Sequence, residues 1–240
     1  MATSKKKYST FINGELIDLC VPNENAIHED GWTEWFNDIS NLDATSHGVF
    51  PNYISSQLAR LANLAKDNSQ IVLLICDKKY NTAVGVISLQ NIDLMQRSCE
   101  VALNIGRINK KLLDPLAPLE AMSLITEHAF TQLGLLRVHA GQVYPILKNW
   151  NKALELIGYK TEGFNYSSFV KGDKVNDVAL IACHYKVFKK LNEMRGSLWG
   201  SKNIIKKLIS KQPKKGFADL LHKNIKSLTD DHFKFLDEEI

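Results

Sequence analysis

Hydrophobic positions along this chain follow two rhythms. Runs rich in β-branched residues recur between Tyr8 and Phe188, and between them lie stretches in which apolar residues return every three or four positions. Tyr8–Ile12 and Glu15–Cys20 flank Asn13-Gly14, the strongest two-residue hairpin signal in the chain, so a β-hairpin is predicted to open the fold. Asp30–Asp38, with Trp32, Trp35 and Phe36, suits a short helix, and a turn-rich segment follows it to Asn52. Ser55–Lys66 sets Leu58, Leu61, Leu64 and Ala65 on one helical face. Ile71–Cys76, Thr82–Asn91 and Cys99–Ile105 then read as an antiparallel meander.

Leu119–Leu133 carries Ala121, Leu124, Ile125, His128, Ala129 and Leu133 on one stripe, and Gly134 stands where a helix-ending glycine belongs. Arg137–Tyr144 is a further strand and Asn149–Ile157 a helix closed by Gly158. Tyr159–Phe164, Ser167–Lys171 and Val175–Phe188 are the closing strands, with a hairpin turn at Lys171–Lys174. Alternating strands and helices give an α/β class with a mixed, mostly antiparallel sheet. Beyond residue 190 the rhythm becomes helical only. Trp199–Lys211 places Ile204, Ile205, Leu208 and Ile209 on one face with lysines around it, and Asp230–Ile240 is expected to form a second helix pairing with it. The predicted organisation is a domain over 1–190 and a basic, amphipathic helical extension over 191–240.

Composition changes this picture in one respect. The 240 residues, 45% of them hydrophobic, supply a full core, and the net charge of +4 hints at an anionic partner. The charge is unevenly placed. Residues 1–185 hold 17 cationic and 19 anionic side chains, whereas 186–240 hold 13 and 7, and Gly196–Gly216 has six lysines and no acid. The basicity belongs to the extension, so nucleic acid is not an expected partner. Lys202–Lys215 is a candidate for contact with an anionic membrane surface or a protein partner, or packs its apolar face on the chain's own core or on a second subunit. No apolar run nears the ~20 residues of a membrane span, and the lysine-rich opening leads into no signal-type stretch, so a cytoplasmic protein is expected. Cys20, Cys76, Cys99 and Cys183 lack metal-ligand spacing and read as buried thiols of a reducing compartment; the seven histidines form no HExxH or paired arrangement, and no metal is expected.

Four words stand in order along the chain: Thr82-Ala-Val-Gly-Val-Ile-Ser-Leu, Glu100-Val-Ala-Leu-Asn-Ile-Gly, Glu120-Ala through Glu127-His-Ala-Phe-Thr-Gln-Leu-Gly-Leu-Leu-Arg-Val138, and Glu155-Leu-Ile-Gly-Tyr-Lys-Thr-Glu-Gly163. Together they resemble the GCN5-related N-acetyltransferase superfamily, in its ribosomal-protein-alanine acetyltransferase branch, over roughly residues 8–190. The resemblance implies a splayed strand pair, Glu100–Ile105 against Arg137–Tyr144, with acetyl-CoA as cosubstrate inserting its pantetheine arm between them. Leu103, Asn104 and Ile105 are then donor-binding positions, a backbone N–H of that strand polarises the thioester carbonyl, and the helix Leu119–Leu133 receives the pyrophosphate at its N-terminus. The expected function is N-acyl transfer, most simply acetyl transfer, to a primary amine.

This sequence departs from the family at the pyrophosphate loop. Leu113-Asp-Pro-Leu-Ala-Pro118 replaces the glycine-containing motif, which removes close backbone approach and one N–H. Lys110 and Lys111 are the candidates to supply charge instead. Farther on, Leu147 and Trp150 occupy the Asn/Ser positions of relatives and Leu154 the tyrosine position; Asn149 is the candidate to replace one of the first two in shifted register, and Tyr144 for the proton donor. Glu100 is the expected general base or, alternatively, a solvated strand-start carboxylate, and His139 is a second candidate because its strand lines the cleft. His128 lies on the apolar stripe and suits a core position. Trp32, Trp35, Phe50 and Asn52 belong to the aromatic and amide-rich segment over the acceptor side, which suits an amino sugar of surface-polysaccharide synthesis ahead of a protein N-terminus; the tryptophans also suit a purely anchoring role. Two alternatives follow from Leu113–Pro118: a fold that has lost catalysis and acts as an interaction module, or an acyltransferase using a carrier-protein-bound or other acyl thioester. A homodimer is compatible with all of these.

Overall fold

A computed structural model of the chain describes residues 7–39, 42–106 and 114–236. Its centre is one eight-stranded sheet: β1 (Ser9–Asn13), β2 (Ile17–Val21), β3 (Ile71–Asp77), β4 (Thr82–Asp93), β5 (Ser98–Ile105), β6 (Arg137–Tyr144), β7 (Lys160–Lys171) and β8 (Lys174–His184), in the order β1-β2-β3-β4-β5-β6-β8-β7. All neighbours are antiparallel except β5 and β6, which run parallel. Both faces are covered, which is why β3 reads as a continuous apolar run.

Strand alternation sorts the side chains into two cores. On one face Leu19, Leu73, Ile75, Ile87, Val101 and Val138 pack beneath α4 (Ala117–Thr131) and α5 (Lys148–Glu155). On the other, Leu74, Cys76 and Val86 pack beneath α1 (Glu24–His28), α2 (Trp32–Trp35) and α3 (Ile54–Leu64). The four cysteines are buried free thiols.

Three expectations are corrected. The opening hairpin is not closed by a two-residue turn: the last pair is Asn13 with Asp18. The buried Glu120 carboxylate of α4 accepts the N–H groups of Glu15, Leu16 (2.8 Å) and Ile17 (3.2 Å), so a long-range acceptor holds the connection open. The expected strand pieces 159–164 and 167–171 are one strand, β7, with an irregularity between Asn165 and Phe169 where Ser167 takes a φ of 50°. The last strand stops at His184, and Tyr185–Arg195 is a helix, α6, because Phe188 turns onto Phe130 of α4 (ring centroids 5.5 Å apart).

The C-terminal part is built into the main core. Leu198, Trp199 and Ile205 are buried in it, Ile205 completely. α7 (Lys202–Lys211) therefore lays its apolar face on the chain's own α4–α5 layer. α8 (Phe217–His232) begins earlier than the acidic stretch suggests, and its principal partners are β7 and α5. His222 seats it among the rings of Tyr144, Phe164 and Tyr166 at 4.7–5.8 Å, with Nε2 3.0 Å from Asp177 Oδ2. No helix among the described residues is long and apolar enough to cross a membrane.

Candidate functional site

β5 and β6 pair at Ser98–Arg137, Cys99–Val138 and Glu100–His139, and their ladder ends there. β5 stays paired with β4 as far as Ile105, and β6 with β8 as far as Tyr144. The two strands thus part in the middle of the sheet, and the gap widens toward their C-terminal ends. Gly106 N–H donates to Val84 O (2.8 Å), which sets the phase of the β4–β5 ladder. Even-numbered residues of β5 direct their backbone groups at β4, and odd-numbered ones at β6. Glu100 being the last residue paired with β6, Leu103 is the next whose N–H points into the gap. Ile105 faces the same way one step later, while Asn104 turns its backbone to β4 and its side chain to the α1–α3 face.

Glu100 and His139 are opposite one another at the vertex of the gap, on the face that carries α1–α3, because their neighbours Cys99, Val101, Val138 and Ala140 all turn into the α4 core. Burial and the Arg137 charge lower the His139 pKa below the ordinary imidazole value against the opposing pull of Glu100 and Glu162, so the ring is neutral at neutral pH. Arg137 and His184 flank the pair and share Glu162, at 2.6 and 2.7 Å. Glu100 itself accepts a long bond from Asn91 Nδ2 (3.4 Å).

Tyr144 stands apart from this pair. Its even position puts it on the α5 side of the sheet, where its hydroxyl donates to Asp219 of α8 (2.9 Å), and burial followed by Asp219 pushes its pKa up to about 12. Lys110 and Lys111 lie outside the described residues. Asn149 is exposed on α5, whereas Asn151 is 3% exposed and neither of its amide atoms has a hydrogen-bond partner. Asn151 lies one turn before Leu154, whose side chain is in the main core, so it faces inward at the end of α5 nearest the open side of the gap. A periodicity count inward from Leu154 selects Asn151 rather than Asn149, a signal present in the sequence.

On the opposite face Trp32 and Trp35 are both buried and stack at 6.5 Å, and the Trp35 indole lies so close to Gly106 that a Cβ there would fall 2.3 Å from Nε1. Trp32 Nε1, Thr33 Oγ1, Gln57 Oε1 and, on β5, Asn104 Nδ2 are buried without partners. Phe50 is exposed. Asn52 is spent on neighbouring groups of the α1–α3 side: its N–H donates to Asn37 Oδ1 (2.7 Å), its Nδ2 to Phe36 O (3.1 Å), and its Oδ1 accepts from Gln57 Nε2 (2.9 Å). Lys171, marked in the sequence only as a turn residue, anchors that region from the β7–β8 hairpin, with Nζ donating to the carbonyls of Leu42 (2.7 Å), Thr45 (3.1 Å) and His47 (2.6 Å). Among the described residues no group of three His, Cys, Asp or Glu could hold a metal.

No family model matches the chain, and no curated protein matches it in sequence. Solved structures do match in shape. A spermidine N-acetyltransferase chimera of Vibrio cholerae SpeG and hSSAT superposes with a TM-score of 0.62 at 15% identity, over 74% of this chain and 99% of its own. RimJ of Mycobacterium smegmatis in complex with CoA-disulfide gives 0.61 at 14%, over 71% and 82%. The microcin C7 self-immunity acetyltransferase MccE, in complex with acetyl-CoA and AMP, gives 0.59 at 18%, over 71% and 93%. RimJ thus stands beside acetyltransferases of other kinds, and the likeness does not single out its branch. The parted β5–β6 pair, its helices and these superpositions agree: the chain has the fold of the GCN5-related N-acetyltransferases.

Proposed function

We propose that the protein is an acyl-CoA-dependent N-acyltransferase, most simply an acetyltransferase, acting on a primary amine. The observation that carries this is the β5–β6 ladder, interrupted after Glu100–His139 in a sheet whose neighbouring ladders continue. A slot lined by strand backbone suits the amide-bearing pantetheine arm, and the unpartnered Asn151 amide on α5 offers it a donor and an acceptor.

The acceptor nitrogen attacks the thioester carbon; a C–N bond forms, the C–S bond breaks, the nitrogen loses a proton and the departing sulfur gains one. Leu103 N–H is aimed to receive the developing oxyanion. Glu100 and the neutral His139 are the pair suited to take the nitrogen's proton. Tyr144, committed to Asp219, is left out of the step. For the acceptor, a hydroxyl-rich amine such as an amino sugar is favoured by the unpartnered polar atoms of Trp32, Thr33 and Gln57 on the α1–α3 side. The test is thiol release from acetyl-CoA with amino sugars, nucleotide-linked amino sugars, polyamines and N-terminal peptides, alongside calorimetry with CoA. Absence of both heat and thiol release across the panel defeats the proposal.

A further inference from the structure

The start of α4 offers few backbone donors to an anion. An α-helix leaves four amide positions open at its N-terminus. Here Leu116 N–H is committed to Asp114 Oδ1 (3.0 Å) and Ala117 N–H to Asp114 O (2.9 Å), while Pro118 has no N–H, so three of the four are closed. A carboxylate, Asp114, occupies the same entry. Both features work against a backbone cradle for phosphate.

Positive charge arrives from α7. This helix is held firmly: Ser201 Oγ accepts Ile204 N–H (3.3 Å), Glu15 Oε2 accepts from Trp199 Nε1 (2.8 Å) and Lys202 N–H (2.7 Å), and Ile205 is fully buried. Lys202 and Lys206 lie one turn apart on one face. Lys202 Nζ is 2.5 Å from Asp114 Oδ2. Burial alone would raise the Asp114 pKa, yet Lys202, the Leu116 N–H and the more distant Lys206 charge together hold it below the ordinary carboxylate range. The ion pair sets the Lys202 face of α7 toward the start of α4, and Lys206 follows one turn later on that face. At its other end the α7–α8 connection reaches α5, where Gln212 Nε2 donates to Lys152 O (2.6 Å) and Lys152 Nζ to Lys214 O (3.1 Å). The basic segment therefore bridges the two helices that flank the parted strands.

We propose that α7 belongs to the donor site: Lys202 neutralises Asp114, and the exposed Lys206 binds the phosphate groups of a CoA-type donor as a point charge, in place of the backbone cradle that α4 lacks. This assignment depends on the acyl-transfer function proposed above. An exposed ammonium is screened by salt in a way that a nest of backbone N–H groups at a buried helix end is not. The affinity for the phosphate-bearing donor is thus expected to fall with ionic strength, and the affinity for the uncharged arm to stay constant.

Calorimetry on the full chain tests this with CoA and with pantetheine, which shares the arm and lacks every phosphate. Lys206→Ala is expected to weaken CoA about 5-fold and Lys206→Glu more, with a shallower salt dependence and unchanged pantetheine binding. Circular dichroism and a thermal melt matching the wild type exclude misfolding. CoA binding by both variants with wild-type affinity and salt dependence overturns the assignment. Wild-type protein that binds pantetheine but not CoA overturns it too, yet leaves acyl transfer from another thioester standing; binding of neither overturns both proposals.

Discussion

Replacing Asn151 by leucine separates function from stability at one position. The side chain is 3% exposed and neither amide atom has a partner, so the folded chain bears the cost of desolvating a primary amide without return. That cost is about 1–3 kcal/mol; leucine has the same branching and no polar atoms, and its bulkier methyl groups offset part of the gain. Asn151→Leu is therefore expected to stabilise the free protein by about 1–2 kcal/mol, raising Tm by roughly 3–6 °C for a chain of this size. If the amide serves the donor's pantetheine arm, the same change removes two hydrogen bonds worth about 0.5–1.5 kcal/mol each, and acetyl-CoA affinity drops roughly tenfold. Differential scanning calorimetry and acetyl-CoA titration on the same preparation read both effects. A variant that melts lower and binds acetyl-CoA like the wild type refutes the reasoning, since it would mean that the amide is satisfied internally and acts only in the core.

Other expectations follow from the same geometry. The neutral His139 predicts that kcat/KM rises with pH through a value below the ordinary imidazole pKa; Glu100→Gln lowers the plateau and His139→Gln removes that limb, measured as thiol release from pH 5 to 8. Because folding lowers the His139 pKa, its contribution to stability is present above the unfolded imidazole value and is lost as pH falls through the folded one, which urea melts of wild type and His139→Gln between pH 5 and 7 detect. Lys171→Met leaves three carbonyls without their cation and is expected to cost about 1–3 kcal/mol and to raise KM for the acceptor more than for acetyl-CoA. Ile205→Ala opens the core beneath α7 and is expected to cost about 2–4 kcal/mol in denaturant melts.

The sheet and the major helix were legible because they obey local rules: β3, β4 and β5 are apolar runs bounded by turn residues, and Ala121, Ile125 and Ala129 of α4 keep strict helical spacing. What was illegible depended on partners distant in sequence. The opening connection is shaped by Glu120, more than a hundred residues away, and Tyr185–Phe188 turns helical because Phe130 waits for Phe188. At the site, Glu100 and His139 could each be suspected alone, but their side-by-side placement comes from a parallel register that no short word encodes. Asn149 drew attention through its alignment to relatives, whereas the inward phase of α5 falls on Asn151.

The seam running from Leu198 to Ile205 also bears on how the protein is made. Leu198 N–H donates to Glu127 Oε1 (2.6 Å), Trp199 to Glu15, and Ile205 seals the layer above α4 and α5. A chain emerging in order from the ribosome completes all eight strands by residue 184, yet the outer side of α4 stays bare until some twenty residues later. A ribosome stalled short of residue 205 holds a nearly finished fold with its sticky side open.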